Sequence, residues 1–236
     1  MRIDLASGSS AALLKLLAKH PFVSNVEHGS EPGLTFLVAG KTRRIEVGSP
    51  DLEVTGLPEL MDNNPMVCAD QISVPDPAST LLLICLGPLA EAGLIAEPPQ
   101  ASLSAPFDSH LAHAFLSREG WTGGIQANVF PTRDPAVYEA IVEVKITQPS
   151  DEGQLNELYA ERFARSFFVE QDQASGWQPS LVKGKPFAAY RLAWDEPSAT
   201  LTVRAMADRE GKCGAAQVVH AMNIMVGYEE TAGLEG

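Results

Sequence analysis

The reading of the fold turns on Pro75–Ile95, PDPASTLLLICLGPLAEAGLI. A short rigid loop runs into an apolar helix, with Asp76 suited to cap it and Pro77 to its first position. In many enzymes a nucleophile sits at such a junction, where the helix dipole lowers its pKa. Here Pro75-Asp76-Pro77-Ala78-Ser79 offers neither cysteine nor lysine. Cys85, further along the apolar run, reads as core. The run from Thr80 to Ala96 is broken by Pro88, Glu91 and two glycines, too interrupted to span a bilayer.

Upstream of this helix the pattern is βα-like. Residues 2–5 (RIDL) suit a strand, and the segment from Ser9 to Leu17 a helix that stops before His20-Pro21. Short strand-like runs follow at Leu34–Ala39 and Arg43–Val47, punctuated by Gly33, Gly40 and Gly48. Downstream, Ser109–Arg118 reads as a helix and Ala136–Ile146 as a strand. Ser150 is placed to cap a helix with Leu155, Leu158, Tyr159 and Phe163 on one face. Phe187–Trp194 and Thr200–Met206 suit an antiparallel pair turning at Asp195-Glu196-Pro197-Ser198. Leu201, Val203 and Ala205 alternate there with Thr202 and Arg204, giving one buried and one wet face. A last helix from about Cys213 to Val226 stops at Gly227. The fold class is α+β: a shortened Rossmann-like α/β remnant, then an α+β domain whose mixed or antiparallel sheet is covered by helices. The expected division is 1–100 and 101–236, with EPPQASLSAP near residues 96–106 as linker.

A chain of 236 residues, 45% hydrophobic and 20% charged, suits a soluble globular protein. Its net charge of -13 leaves no basic stripe for phosphates, so no nucleic-acid partner is expected. Three cysteines without CxxC spacing indicate neither a disulfide framework nor a zinc site. With no signal-peptide pattern at the N-terminus, a reduced cytoplasmic location follows, with no membrane partner.

The helix Lys212-Cys213-Gly214-Ala215-Ala216-Gln217-Val218-Val219-His220-Ala221-Met222-Asn223-Ile224-Met225-Val226-Gly227, with the tail Glu230-Thr231-Ala232-Gly233-Leu234, resembles the C-terminus of the N-acetyl-γ-glutamyl-phosphate reductase family, K-G-A-x-G-Q-A-V-Q-x-M-N-L-M-x-G and P-E-T-x-G-L. Gly56-Leu57-Pro58-Glu59-Leu60 is similar to that family's Y-G-L-P-E-L. The opening stretch is similar to its N-P-G-C-Y-P-T helix start, and Leu14–Pro21 to the helix after its first strand. The resemblance implies a semialdehyde dehydrogenase-like protein that pairs through the sheet of its C-terminal domain.

Departures from the family pattern carry the functional reading. Aligning Pro75 with the family proline puts Pro77 where the family has its cysteine nucleophile, and proline supplies no nucleophile, acid or N–H. Asp4, Ser7 and Ser10 fall at the glycines of the G-x-x-G-x-x-G dinucleotide turn, with Gly8 between the required positions. An Asp4 carboxylate ~4 Å from a phosphate repels it by about 4 kcal/mol at an effective dielectric near 20. No nicotinamide cofactor is therefore expected.

Remaining reactive candidates are few. Cys213, after Lys212 at a helix start, is placed for a lowered pKa; in the family this position is a glycine near the substrate pocket. His110 and His113 lie about where the family has H-R-H-x-P-E-I and its general-base histidine, without the proline and glutamate. No metal site is expected from that pair. Val129-Phe130-Pro131-Thr132-Arg133 loosely resembles a substrate-arginine loop, which gives Arg133 an anion-binding role. The expected function is that of a catalytically degenerate relative working by association: a scaffold, a regulatory partner or a ligand-binding module. It would be a homodimer, or a heterodimer with an intact reductase-like subunit, paired through an apolar outer sheet face. The alternatives are an enzyme using Cys213, Lys212 and His110 on an acyl or carbonyl substrate without nicotinamide, and residual NADP-dependent N-acetylglutamyl-phosphate reduction in arginine biosynthesis.

Overall fold

A computed structural model describes residues 2–6, 10–29, 33–147, 152–173 and 176–234. In chain order the elements are β1 (Arg2–Ala6), α1 (Ala11–Lys19), β2 (Asn25–Gly29), β3 (Leu34–Val38), β4 (Lys41–Val47), α2 (Asn63–Cys68), β5 (Gln71–Val74), α3 (Pro77–Glu91), β6 (Gln100–Leu103), α4 (Ser109–Arg118), β7 (Gln126–Val129), β8 (Val137–Lys145), α5 (Glu152–Phe163), β9 (Val169–Gln171), β10 (Ala188–Asp195), β11 (Thr200–Asp208) and α6 (Ala215–Val226). Ser7, Gly8, Ser9 and Ser150, to which the sequence pattern gives roles, lie outside the described residues.

The first sheet has the order β2-β1-β3-β4-β5. β1 and β2 are parallel and bracket α1, as a βαβ unit requires. β3 then lies antiparallel against the other edge of β1. A tight turn joins β3 to β4, with positive φ at both Ala39 and Gly40, the backbone a two-residue hairpin needs. The second sheet has the order β7-β6-β8-β11-β10-β9, antiparallel in its centre and parallel at both edges.

α3 is the spine. Every residue from Ala78 to Ala90 is buried, because the helix is apolar on all sides and packs against α4, α5, β8 and β11. Burying one leucine or isoleucine stabilises by about 1.5–3 kcal/mol, so Leu81, Leu82, Leu83, Ile84, Leu86 and Leu89 together contribute on the order of 10 kcal/mol. That is comparable to the whole net stability of a domain. Inward residues of the second sheet, among them Val142, Val203 and Ala205, meet this helix, while Thr202 and Arg204 face away as the alternation predicts.

α6 does not belong with the strands that precede it in sequence. It packs on α1, α2, β4 and β5, and forms one apolar cluster with Leu17, Leu34, Phe36, Ile45 and Ile72. Gly227 ends it in the left-handed conformation, φ 77°.

Three expectations need correction. The 96–106 stretch is no linker: β6 lies within it, because Ala101 and Leu103 complete the core beneath the sheet. α6 starts at Ala215, leaving Lys212 and Cys213 in the preceding turn. The outer face of the second sheet is not apolar. Ile141 and Ala193 lie there among Glu143, Arg191, Thr202 and Arg204, and only its end near Met206 is covered by Val182, Leu181 and Phe187. Among the described residues no helix is long and apolar enough to cross a membrane.

Gly214 sets up α6. A Cβ there would lie 2.1 Å from the carbonyl oxygen of Arg209, a backbone atom that cannot swing aside. Gly214→Ala should lower the stability by about 2 kcal/mol, whereas Gly124→Ala, which meets nothing within 4 Å, should leave it unchanged in chemical denaturation.

Candidate functional site

Three segments separated along the chain meet at the start of α3. Asp76 caps the helix, accepting from the N–H groups of Ala78 and Ser79 at 3.2 and 3.4 Å. Gln217, one turn into α6, donates its Nε2 to the Pro75 carbonyl at 3.1 Å and to Thr80 Oγ1 at 3.2 Å. The Cys213 thiol sits 3.8 Å from the Pro77 carbonyl. The α3 and α6 starts are thereby pinned to each other.

Glu59 completes the junction. It stands in the tight turn Pro58–Leu60, where Pro58 fixes the backbone, and its side chain is 1% exposed. Its Oε1 lies 2.5 Å from Lys212 Nζ, accepts from Ser166 Oγ at 3.3 Å and faces His220 Nδ1 at 3.5 Å. His220 Nε2 lies 2.8 Å from Glu230 Oε2. Phe168 floors the group, its ring 4.1 Å from that of His220 and 5.7 Å from Lys212 Nζ. Further along α6, Asn223 donates to the carbonyls of Glu230 and Ala232, and its Oδ1 meets His20 Nε2 at 2.9 Å.

The electrostatics follow from burial. Desolvation alone would raise the Glu59 carboxyl, but Lys212 and His220 outweigh it and hold the group below the ordinary glutamate value, so it is ionised. Burial draws Lys212 down from the lysine range, against the pull of Glu59. Burial also lowers His220, against its bond to Glu230, so the ring is neutral at pH 7.

The candidates read from sequence fall in different environments. Cys213 is buried, and burial pushes its thiol up despite Lys212, whose charge is committed to Glu59. The thiolate expected from its neighbours is therefore not formed. Lys212 itself is fully buried in its ion pair and is no free base. His110 and His113 are exposed on α4, in solvent rather than in the core where Cys213 lies. Arg133 is exposed in the loop between β7 and β8. Ser10 caps α1, accepting from Leu13 N–H at 3.1 Å and donating to Glu210 at 2.9 Å. Among the described residues no group of three or more His, Cys, Asp or Glu could hold a metal.

Sequence reasoning passed over Glu59 as a charge. The signal was present: Gly56–Leu60 carries Glu59 and the helix stretch Lys212–Gly227 carries Lys212, each the one formally charged residue in an apolar frame, and the charges are opposite. Buried charges come in pairs, so each implied the other.

Removing one partner of such a pair costs about 3–5 kcal/mol, because the other is left buried alone. Glu59→Ala should be destabilised by that amount in urea unfolding, and Glu59→Leu/Lys212→Met should recover most of it. The pH dependence has a definite sign. Both Glu59 and His220 have folded values below their unfolded ones, so each contributes stability that is lost on acidification. The loss should begin as pH drops below the ordinary histidine value of 6.5 and continue below the glutamate value of 4.5, less steeply in the double variant.

No family model matches the chain. Similar proteins are N-acetyl-gamma-glutamyl-phosphate reductases. One from Bacillus cereus is 33% identical over 92 residues, 39% of this chain and 27% of that protein. A second, from another Bacillus cereus strain, is 33% identical over 119 residues, 49% and 34% of the two chains. One from Bacillus mycoides is 35% identical over 83 residues, 35% and 24%. The match thus spans only about a quarter to a third of these relatives. In structure, the chain resembles aspartate semialdehyde dehydrogenase II of Vibrio cholerae complexed with ASA, at a TM-score of 0.60 and 14% identity, covering 96% of this chain and 98% of that one. A second structure of that Vibrio cholerae enzyme gives 0.58 at 13% identity. In sequence, part of this chain is similar to N-acetyl-γ-glutamyl-phosphate reductases, and its fold is similar to that of aspartate semialdehyde dehydrogenase II.

Proposed function

We propose that this chain is a relative of N-acetyl-γ-glutamyl-phosphate reductase that has lost the reductase chemistry and acts by association. The start of α3 carries this reading. Where the family pattern has its attacking cysteine stands Pro77, and the thiol beside it, Cys213, is buried with its pKa raised. Neither residue supplies a thiolate at neutral pH.

The sheet argues in the same direction about nicotinamide. A doubly wound sheet binds a dinucleotide in the crevice where the strand order reverses beside β1, between parallel neighbours. Here β1 has β3 antiparallel on that side. Ser10, at the family's third glycine, is bonded to Glu210. On this reading residues 1–100 are the remnant of a dinucleotide unit together with the helix that joins it to the pairing unit, 101–236.

Association uses the outer face of the second sheet. Its exposed charges are acidic Glu143 and basic Arg204, with half-buried Ile141 and the Asp172-paired Arg191 beside them. An isologous contact sets such a patch against itself, so opposite charges meet across the axis. The partner is a second copy or an intact reductase-like subunit. The compartment is the reducing cytoplasm, which suits free thiols at Cys68, Cys85 and Cys213.

Phosphate-dependent oxidation of N-acetylglutamate semialdehyde with NADP should be undetectable. Thiol labelling at neutral pH should modify Cys68 long before Cys213 and Cys85. Turnover that is lost in Cys213→Ser, with Cys213 the fastest thiol, would overturn the proposal. Sedimentation of the chain alone should give a mass near twice 25.2 kDa, shifting to the monomer in Arg204→Glu. A wild-type monomer that also captures no reductase-like subunit would remove association.

A further inference from the structure

β7 ends the second sheet, paired with β6 on one side and, among the described residues, with nothing on the other. The Gln126 and Phe130 N–H groups donate to the Pro99 and Leu103 carbonyls, both at 2.9 Å. Backbone groups alternate in direction along a strand, so Ala127 and Val129 turn their N–H and C=O groups to the open edge. A free edge is usually blunted by charge, proline or a covering element. The sheet's opposite edge, β9, is 3 residues long and carries the exposed carboxylate of Glu170. β7 has no such protection: Gln126, Asn128 and Val129 are exposed. From Gly120 to Thr132 the sequence is GWTGGIQANVFPT, without a formal charge, in a chain of net charge -13.

Charge and side-chain parity together select what pairs there. Copies of so acidic a chain repel one another, and an uncharged edge is where they approach at least cost. Ile125 and Ala127 face the core and are partly covered, while Val129, in step with them along the strand, is 59% exposed. An antiparallel copy of β7 centred on Asn128 sets Ala127 beside the partner's Val129, and Val129 beside the partner's Ala127. Both pairs exchange N–H···O=C bonds, and each exposed valine gains apolar neighbours. Asn128 then faces the partner's Asn128 as a non-hydrogen-bonded pair, where the two carboxamides can bond to each other. We propose that β7 is a self-association edge, to which a second copy of this chain adds its own β7 antiparallel, joining the two sheets into one. A ladder this short is far smaller than a standard interface, so the contact is weak and adds to the pairing of sheet faces rather than replacing it.

Cysteine trapping tests this in the full chain on a Cys68→Ser background, since Cys85 and Cys213 are buried. In this register the two Asn128 α-carbons lie about 4.5 Å apart, within disulfide reach, and the two Gln126 α-carbons about 14 Å apart. Mild oxidation should therefore cross-link Asn128→Cys into a covalent dimer and leave Gln126→Cys, also at an exposed position, monomeric. Val129→Lys, harmless to the fold at so exposed a site, should lower the Asn128→Cys yield about tenfold. Ala127→Pro removes an N–H that β6 does not use, and should do the same with an unchanged melting curve. The yield should be unchanged in Arg204→Glu, which separates the edge from the sheet face. No cross-link, equal cross-linking through Gln126→Cys, or a yield indifferent to Val129→Lys or to a folded Ala127→Pro would overturn the proposal. So would a yield that depends on Arg204.

Discussion

The buried pair between Glu59 and Lys212 holds the architecture together. It joins a turn of the first sheet's unit to the residues just before α6, and every other contact at the junction assumes it. With Lys212 fixed, Cys213 falls against Pro77 and Gln217 reaches Pro75. His220 then comes to face Glu59 over Phe168. An ion pair of this kind is weak as a net source of stability, since desolvation cancels most of its attraction. Its value is directional: it ties the turn before α6 to the Pro58–Leu60 turn, so that neither charge is buried alone.

That arrangement explains how a helix start can keep the outline of a catalytic site without its reactivity. The features that favour a thiolate are a helix N-terminus and a nearby cation. Here the helix N-terminus is satisfied by Asp76, and the cation is consumed by Glu59. Cys213 is left with burial, which acts the other way. Pro77 then does what proline does well at the first helical position, and nothing else.

Much of the fold was legible because local rules were obeyed. The Asp76-Pro77 start, the Gly227 stop and the alternation of Leu201 to Ala205 are each decided within a few residues, and each appears where the pattern puts it. What sequence could not supply was partnership at a distance. β6 was hidden in a stretch rich in proline and serine because its strand character comes from pairing with β8, not from its own residues. The outer sheet face was misjudged because alternation fixes which residues point out but not how polar their neighbours are. At the site, the motif blocks were read one at a time, whereas Glu59 and Lys212 take their meaning only from each other.

The attachment of α6 to the first sheet has a consequence for how the chain is made. His20 and Asn223, bonded to each other, are 203 positions apart in sequence. Leu34, Phe36, Ile45 and Ile72 leave the ribosome long before the helix that covers them has been synthesised. The first sheet is thus translated without its lid, and closing so long a loop is slow as well as entropically unfavourable. During that interval the nascent chain presents an apolar sheet face to its surroundings, which is the surface that chaperones recognise. Closure of this core therefore waits until α6 has been synthesised and can seal the first strands.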